Sequence, residues 1–166
     1  FGYQKIVAEQ PPYNLLDRRI ENELIPLAKK YGIGLITWAP MAMGVLAGRY
    51  KNLNYLPKSS RAIYRGGYYR DRVTQTGLDI GKKFSILAKK VDLSPAQLAL
   101  LWVKEQSGVT APLMGPRTMN HLKELLPVME MRLDDETRLA CDHLVPPGTA
   151  VTDFHNTSGW MKMVIQ

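Results

Sequence analysis

Three short stretches carry residue types able to hold an anionic or aromatic ligand. Gly115-Pro116-Arg117-Thr118 is a turn that opens a helix. The first amides of a helix are unpaired and its dipole is positive there, so such turns bind anions. Arg117 adds a cation whose forked donors match phosphate. The same residues also read as a plain N-cap turn with an exposed arginine. Trp38-Ala39-Pro40-Met41 follows an apolar run. An indole at a strand end either stacks on a flat ring or fills the core. Met43 to Tyr50 (MGVLAGRY) offers close backbone approach at its glycines and a cation at Arg49, yet it is neither a Walker loop nor GxGxxG.

A fourth stretch is basic and aromatic. Lys58, Arg61, Arg65, Arg70 and Arg72 are interleaved with Tyr64, Tyr68 and Tyr69. Such a mixture suits single-stranded nucleic acid, a phosphate-bearing small ligand, or a solvated loop. The net charge of +7 is spread along 166 residues with no block of five or six like charges, so nucleic acid is not the favoured partner. His121, His143 and His155 lack metal-ligand spacing, and no metal site is expected. Ser158 lacks the G-x-S-x-G elbow. No catalytic acid, base or nucleophile stands out. The lone cysteine, Cys141, excludes an intrachain disulfide framework. A reducing compartment, the cytoplasm, is therefore expected. No apolar run approaches the roughly 20 residues of a membrane span. The opening FGYQKIVAEQ has neither Met nor a charged-then-apolar leader, and the natural start of the protein is expected elsewhere.

These stretches need elements to position them. Ile6 to Ala8 reads as a strand stopped by Pro11-Pro12. Asp17 reads as the N-cap of a helix whose buried face carries Ile20, Leu24, Leu27 and Ala28, with Pro26 as an interior blemish. Ile33 to Trp38 reads as a strand buried on both faces. A long Gly- and Tyr-rich connection runs from about Ala42 to Tyr69, a length that usually marks function or mobility. Helices are expected over about 70–91, 96–106, 118–128 and 134–144, and a third strand over Val109 to Met114. The sequence from 146 to 166 reads as a tail. Strands alternating with helices predict an α/β fold with parallel strands. Ligands then bind at the C-terminal strand ends, here Gln10 to Asn14, Trp38 to Tyr50 and Gly115 to Leu125. Three strands alone make a poor sheet, so the pattern suggests part of a larger barrel.

Taken together, Val7 to Tyr50, Ser59 to Gly66 (SRAIYRG), Leu93 to Val103 (LSPAQLALLWV) and Leu113 to Leu125 (LMGPRTMNHLKEL) resemble the aldo-keto reductase superfamily. The resemblance is nearest to the bacterial and plant group allied to potassium-channel β subunits. It implies the C-terminal part of a (β/α)8 TIM barrel over residues 1–145, with three parallel strands and flanking helices. It also implies NADPH as cofactor and an aldehyde or ketone as substrate. By the same resemblance Gln10 would bind the nicotinamide carboxamide and Trp38 would stack on the ring. Ala39, Pro40, Met41, Gly44, Leu46 and Arg49 would wrap the pyrophosphate, with Arg61 on a loop closing over it. Gly115 and Arg117 would hold the 2′-phosphate, and His121 and Glu124 would lie near the adenosine.

The sequence departs from the family pattern at several of these positions. Ala39 replaces the usual Ser, Met41 the usual Leu and His121 a common Gln, and Leu125 stands where an Asn usually contacts the adenine. The family's catalytic Asp, Tyr, Lys and His belong to the first half of the barrel, and none maps onto a position here. The expectation is a cofactor-binding half without its catalytic tetrad, a fragment or a half-barrel completed by a complementing half or a second copy. A non-catalytic NADPH-sensing regulatory protein is the alternative.

Overall fold

The computed structural model of the chain describes residues 4–155. Three short parallel strands lie in one sheet in the order β1-β2-β3. β1 is Ala8–Glu9, β2 is Gly34–Thr37 and β3 is Ala111–Pro112. Ala8 sits opposite Gly34, and Ile36 opposite Ala111. The contact between the first two strands continues past their ends. The Trp38 N–H donates to the Pro11 carbonyl at 3.0 Å, and the Tyr13 N–H donates to the Trp38 carbonyl at 3.0 Å. Pro11 lacks a donor but keeps its acceptor, so the prolines do not end the pairing here.

The strands differ from expectation in two respects. β1 begins at Ala8, while Ile6 and Val7 are 68% and 78% exposed. Their side of the sheet has no neighbouring strand among the described residues. β2 is not buried on both faces. Leu35 and Thr37 are buried, whereas Gly34 and Ile36 are half-buried, because the helices that pack on β2 and β3 cover one side.

The first helix also starts later than Asp17. A single 3-10 turn, Arg19–Glu21, precedes α1 (Leu24–Tyr31). Pro26 therefore falls in the first turn of α1, where its missing N–H would have had no partner anyway. Gly32, at φ 66°, ends the helix in the left-handed conformation that suits glycine. The long connection is not structureless. It holds a 3-10 turn at Ala42–Gly44, then α2 (Arg61–Tyr64) and α3 (Tyr68–Asp71). α4 (Gln75–Lys90) starts only after Thr74, whose hydroxyl caps the Gly77 N–H. α5 (Pro95–Lys104) opens with a reciprocal Ser94–Gln97 capping box. α6 (Met119–Leu125) is capped by Thr118, and Pro127 turns its continuation into a 3-10 turn, Leu126–Met129. α7 (Asp135–Leu144) is capped by Asp134 and carries acids in its first turn.

The core gathers around α5, in which every residue from Leu98 to Val103 is buried. Tyr13 packs on Trp102 at a ring separation of 5.3 Å, and the Arg18 guanidinium lies 5.0 Å above the same indole. Arg18 is itself buried and donates to Glu21, Asp142 and the Val145 carbonyl. A buried cation is tolerated there because two carboxylates and a carbonyl surround it. The segment after α7 packs back onto this core through residue 155. The Arg18 N–H donates to the Thr149 carbonyl, Val151 donates to the Leu16 carbonyl, and Phe154 is fully buried. Residues 156–166, including Ser158, lie outside the described residues.

Candidate functional site

One cleft of about 600 Å³ opens beyond the C-terminal ends of β2 and β3. Eleven of the thirteen candidate residues line it: Trp38, Ala39, Pro40, Met41, Gly44, Arg49, Arg61, Gly115, Arg117, His121 and Glu124. Three separate stretches of chain thus meet at one place. Met43, Ala47, Ala96, Leu113 and Leu125 complete much of the wall. Of these, Ala96 carried no signal of its own as a cleft residue. Two candidates are elsewhere. Gln10 is exposed and does not line the cleft, and the Leu46 side chain is fully buried in the core.

The wall that follows β2 is held in an unusual backbone conformation. Ala39, Ala42 and Met43 adopt φ of 60°, 47° and 58°. Non-glycine residues rarely occupy this region, and each such residue stores about 1–3 kcal/mol of strain. The loop is tied to itself by the Gly44 N–H to the Met41 carbonyl (2.8 Å) and by the Tyr50 hydroxyl to the Met43 carbonyl (3.2 Å). Gly44 sits at φ 101°, and a Cβ there would stand 3.2 Å from Arg49 Cβ and Cδ. The absence of a side chain lets Arg49 fold back across the loop. Arg49 Nη2 then donates to the Ser59 carbonyl at 3.0 Å and to its hydroxyl at 3.1 Å.

A second hollow of about 330 Å³ is lined by Ser59, Arg61, Tyr64, Arg65 and Arg117. It shares Arg61 and Arg117 with the main cleft but not Trp38 or Met41. Arg61 comes from α2 and Arg117 from the turn before α6, so the positive charge is assembled across the site. On the opposite wall the Thr118 hydroxyl caps the His121 N–H, and the Arg117 N–H donates to His121 Nδ1 at 3.4 Å. His121 Nδ1 is thereby turned toward the backbone of the Arg117 turn. Glu124 accepts from the Ser94 hydroxyl, while Gln97 Nε2 donates to the Glu124 carbonyl. The α5 cap thereby fixes the carboxylate side of the cleft.

The basic and aromatic stretch divides in three dimensions. Arg61 faces the cleft, Arg65 lies 5.7 Å from the Tyr69 ring, and Arg72 is buried among aromatic rings. It does not present one continuous basic face.

One cluster was not legible beforehand. The buried Asp17 accepts from Arg19 Nε (2.9 Å) and Nη2 (2.7 Å) and from the Phe154 N–H (2.8 Å), with His155 Nδ1 at 3.1 Å. Arg19 Nη2 also donates to Asp153 at 2.6 Å. Asp17 is thus not a helix cap, as expected, but the anchor of the segment that follows α7. Burial pushes its carboxyl up, yet the hydrogen bonds from Arg19, His155 and Phe154 outweigh it and hold the group at about 2. Asp17, Asp153 and His155 converge as metal ligands would, but the Arg19 guanidinium already bridges the two carboxylates.

A parallel sheet with outer helices, and a ligand cleft at the carboxyl ends of its strands, is the arrangement of a (β/α)8 barrel segment. The sequence matches the Aldo/keto reductase family over residues 2–145, and the chain belongs to that family. It is 32% identical over 147 residues to "Uncharacterized oxidoreductase YrpG" of Bacillus subtilis, covering 88% of this chain and 43% of that protein. It is 33% identical over 129 residues to a "Probable voltage-gated potassium channel subunit beta" of Oryza sativa, covering 75% of this chain and 39% of that one. Among solved structures it resembles the glycerol dehydrogenase AKR11B4 of Gluconobacter oxydans, with a TM-score of 0.69 and 26% identity over 88% of this chain and 45% of that chain. The chain therefore spans less than half the length of these relatives. No helix among the described residues is long and apolar enough to cross a membrane.

Proposed function

We propose that this chain forms the NADPH-binding part of an NADPH-dependent aldehyde and ketone reductase. The observation that supports this reading most is the composition of the cleft. An indole and apolar side chains adjoin a hollow of three guanidinium groups, Arg61, Arg65 and Arg117. That pairing fits a ligand with a flat ring and several phosphates, and the cleft volume is that of a cofactor site. When bound, NADPH supplies the hydride for carbonyl reduction. Trp38 offers a flat face to its ring, and Met41, Met43 and Leu113 shed water from that region. Arg49, Arg61 and Arg117 neutralise phosphate charge, and Arg117 with Gly115 receives the 2′-phosphate. Glu124 and His121 lie at the adenosine.

The proton for the carbonyl oxygen comes, in this reading, from a complementing half-barrel. The reaction is assigned to the cytoplasm on the strength of a single, unpaired cysteine. Similarity to proteins described as channel β subunits favours a second reading, in which the same cleft senses NADPH without turnover. Calorimetric titration of the chain tests the shared part of both. Saturable binding of one NADPH per chain, undisturbed by single-stranded oligonucleotide, is expected. A folded chain that releases no binding heat contradicts it. Carbonyl reduction on mixing with a complementing half then separates reductase from sensor.

A further inference from the structure

Arg72 is the one arginine of the basic stretch that lies wholly inside the protein, at 3% exposure. Its guanidinium carbon lies over four aromatic rings: Trp38 at 5.5 Å, Tyr68 at 5.0 Å, Tyr69 at 5.7 Å and Phe154 at 5.2 Å. Arg72 Nη2 donates to the Phe154 carbonyl at 3.0 Å, and Nη1 approaches Met43 Sδ at 4.0 Å. Two of these neighbours, Trp38 and Met43, line the cleft. A third, Phe154, belongs to the segment anchored by Asp17.

The backbone of Trp38 is clamped by Pro11 and Tyr13, but those bonds leave its side-chain torsions free. Something else must hold the indole where it lines the cleft. A planar cation seated over the ring does so by attraction to the π face, and a desolvated site strengthens that attraction. We infer that Arg72 is a positioning residue for the cleft: it orients the Trp38 ring and links that orientation to the Phe154 segment. The consequence for cofactor affinity rests on the reading of the cleft as an NADPH site. The orientation of Trp38 does not.

The test uses the full chain labelled with 5-fluorotryptophan, as Arg72→Met and Arg72→Lys, in a Trp160→Phe background. Fluorine NMR then reads Trp38 and the buried Trp102 separately. In Arg72→Met the Trp38 line is expected to shift or split while the Trp102 line stays. Arg72→Lys, which keeps the charge but loses the plane, should lie between. The NADPH Kd should rise about tenfold in Arg72→Met, with the Kd of adenosine 2′,5′-bisphosphate, which lacks the nicotinamide ring, changing by less than about twofold. An unmoved Trp38 line overturns the inference, as does equal weakening of both ligands. Loss of the Trp102 line in Arg72→Met would mean unfolding, and Arg72→Lys then decides by the same two criteria. An unsubstituted chain that binds neither ligand would defeat the NADPH reading alone. The Trp38 line would still settle the role of Arg72.

Discussion

Arg49 reaches across the cleft wall and donates through one nitrogen to both the carbonyl and the hydroxyl of Ser59. Ser59 stands next to Ser60, the N-cap of α2, and α2 begins with Arg61. The guanidinium that reads in the sequence as a phosphate ligand is thus also a latch for the loop bearing the next arginine. Replacing Arg49 by Ala should free that loop. Amides 61–65 should exchange about threefold to tenfold faster in the free chain, the value of one or two partly exposed hydrogen bonds. Unchanged protection would mean that the latch holds nothing.

Arg117 carries the proposed preference for a 2′-phosphate. Arg117→Ala should weaken NADPH by about tenfold to a hundredfold, the worth of a charge-assisted contact. NADH, which lacks that phosphate, should lose no more than about threefold. Equal losses for the two cofactors, measured by equilibrium titration, would remove Arg117 from this role.

Asp17 ties acid stability to the Phe154 segment. Its folded value of about 2 lies below the ordinary 3.8. A depressed carboxylate stabilises the fold fully above its unfolded value, and that stability is lost as pH falls through the folded one. The contribution is about 2 kcal/mol, lost between roughly pH 5 and pH 2. Urea unfolding should show a steeper fall over this window in the unsubstituted chain than in Asp17→Asn. Parallel curves would contradict the assignment.

Cys141 is buried, and burial pushes its thiol up to about 12. Reaction with an aromatic disulfide reagent at pH 8 should therefore follow global opening. It should run at least about a thousandfold slower than in urea. Fast labelling of the folded chain would show an access route to Cys141.

Much of the site was legible because it sits on local signals. Trp38 ends an apolar run, Arg49 and Arg61 lie in a glycine- and tyrosine-rich connection, and Arg117 opens a helix. Each signal was weak alone, and their order in the chain supplied the family. The starts of α5 and α7 were equally readable, each within one residue of Pro95 and Asp135. Three other features depend on contacts between distant residues. Asp17 has the sequence neighbours of an N-cap, but its partners Phe154 and His155 lie more than 130 residues away. Arg72 looked like one more exposed cation in a basic stretch. Only the folded chain brings Phe154 and Trp38 to it. The strand limits moved because Ile6 and Val7 are exposed at the sheet edge, and only the Val7 carbonyl, which accepts from the Gly34 N–H, joins them to β2.

The central claim is that NADPH binds with its ring at Trp38. It is tested most directly by tryptophan fluorescence of the Trp160→Phe chain titrated with NADPH, with Trp38→Leu measured alongside. Trp102 is 1% exposed and serves as a constant background. The account predicts saturable one-to-one quenching that vanishes in Trp38→Leu and is reversed by adenosine 2′,5′-bisphosphate. Absence of saturable quenching in a chain that is folded, or identical quenching in Trp38→Leu, would contradict it.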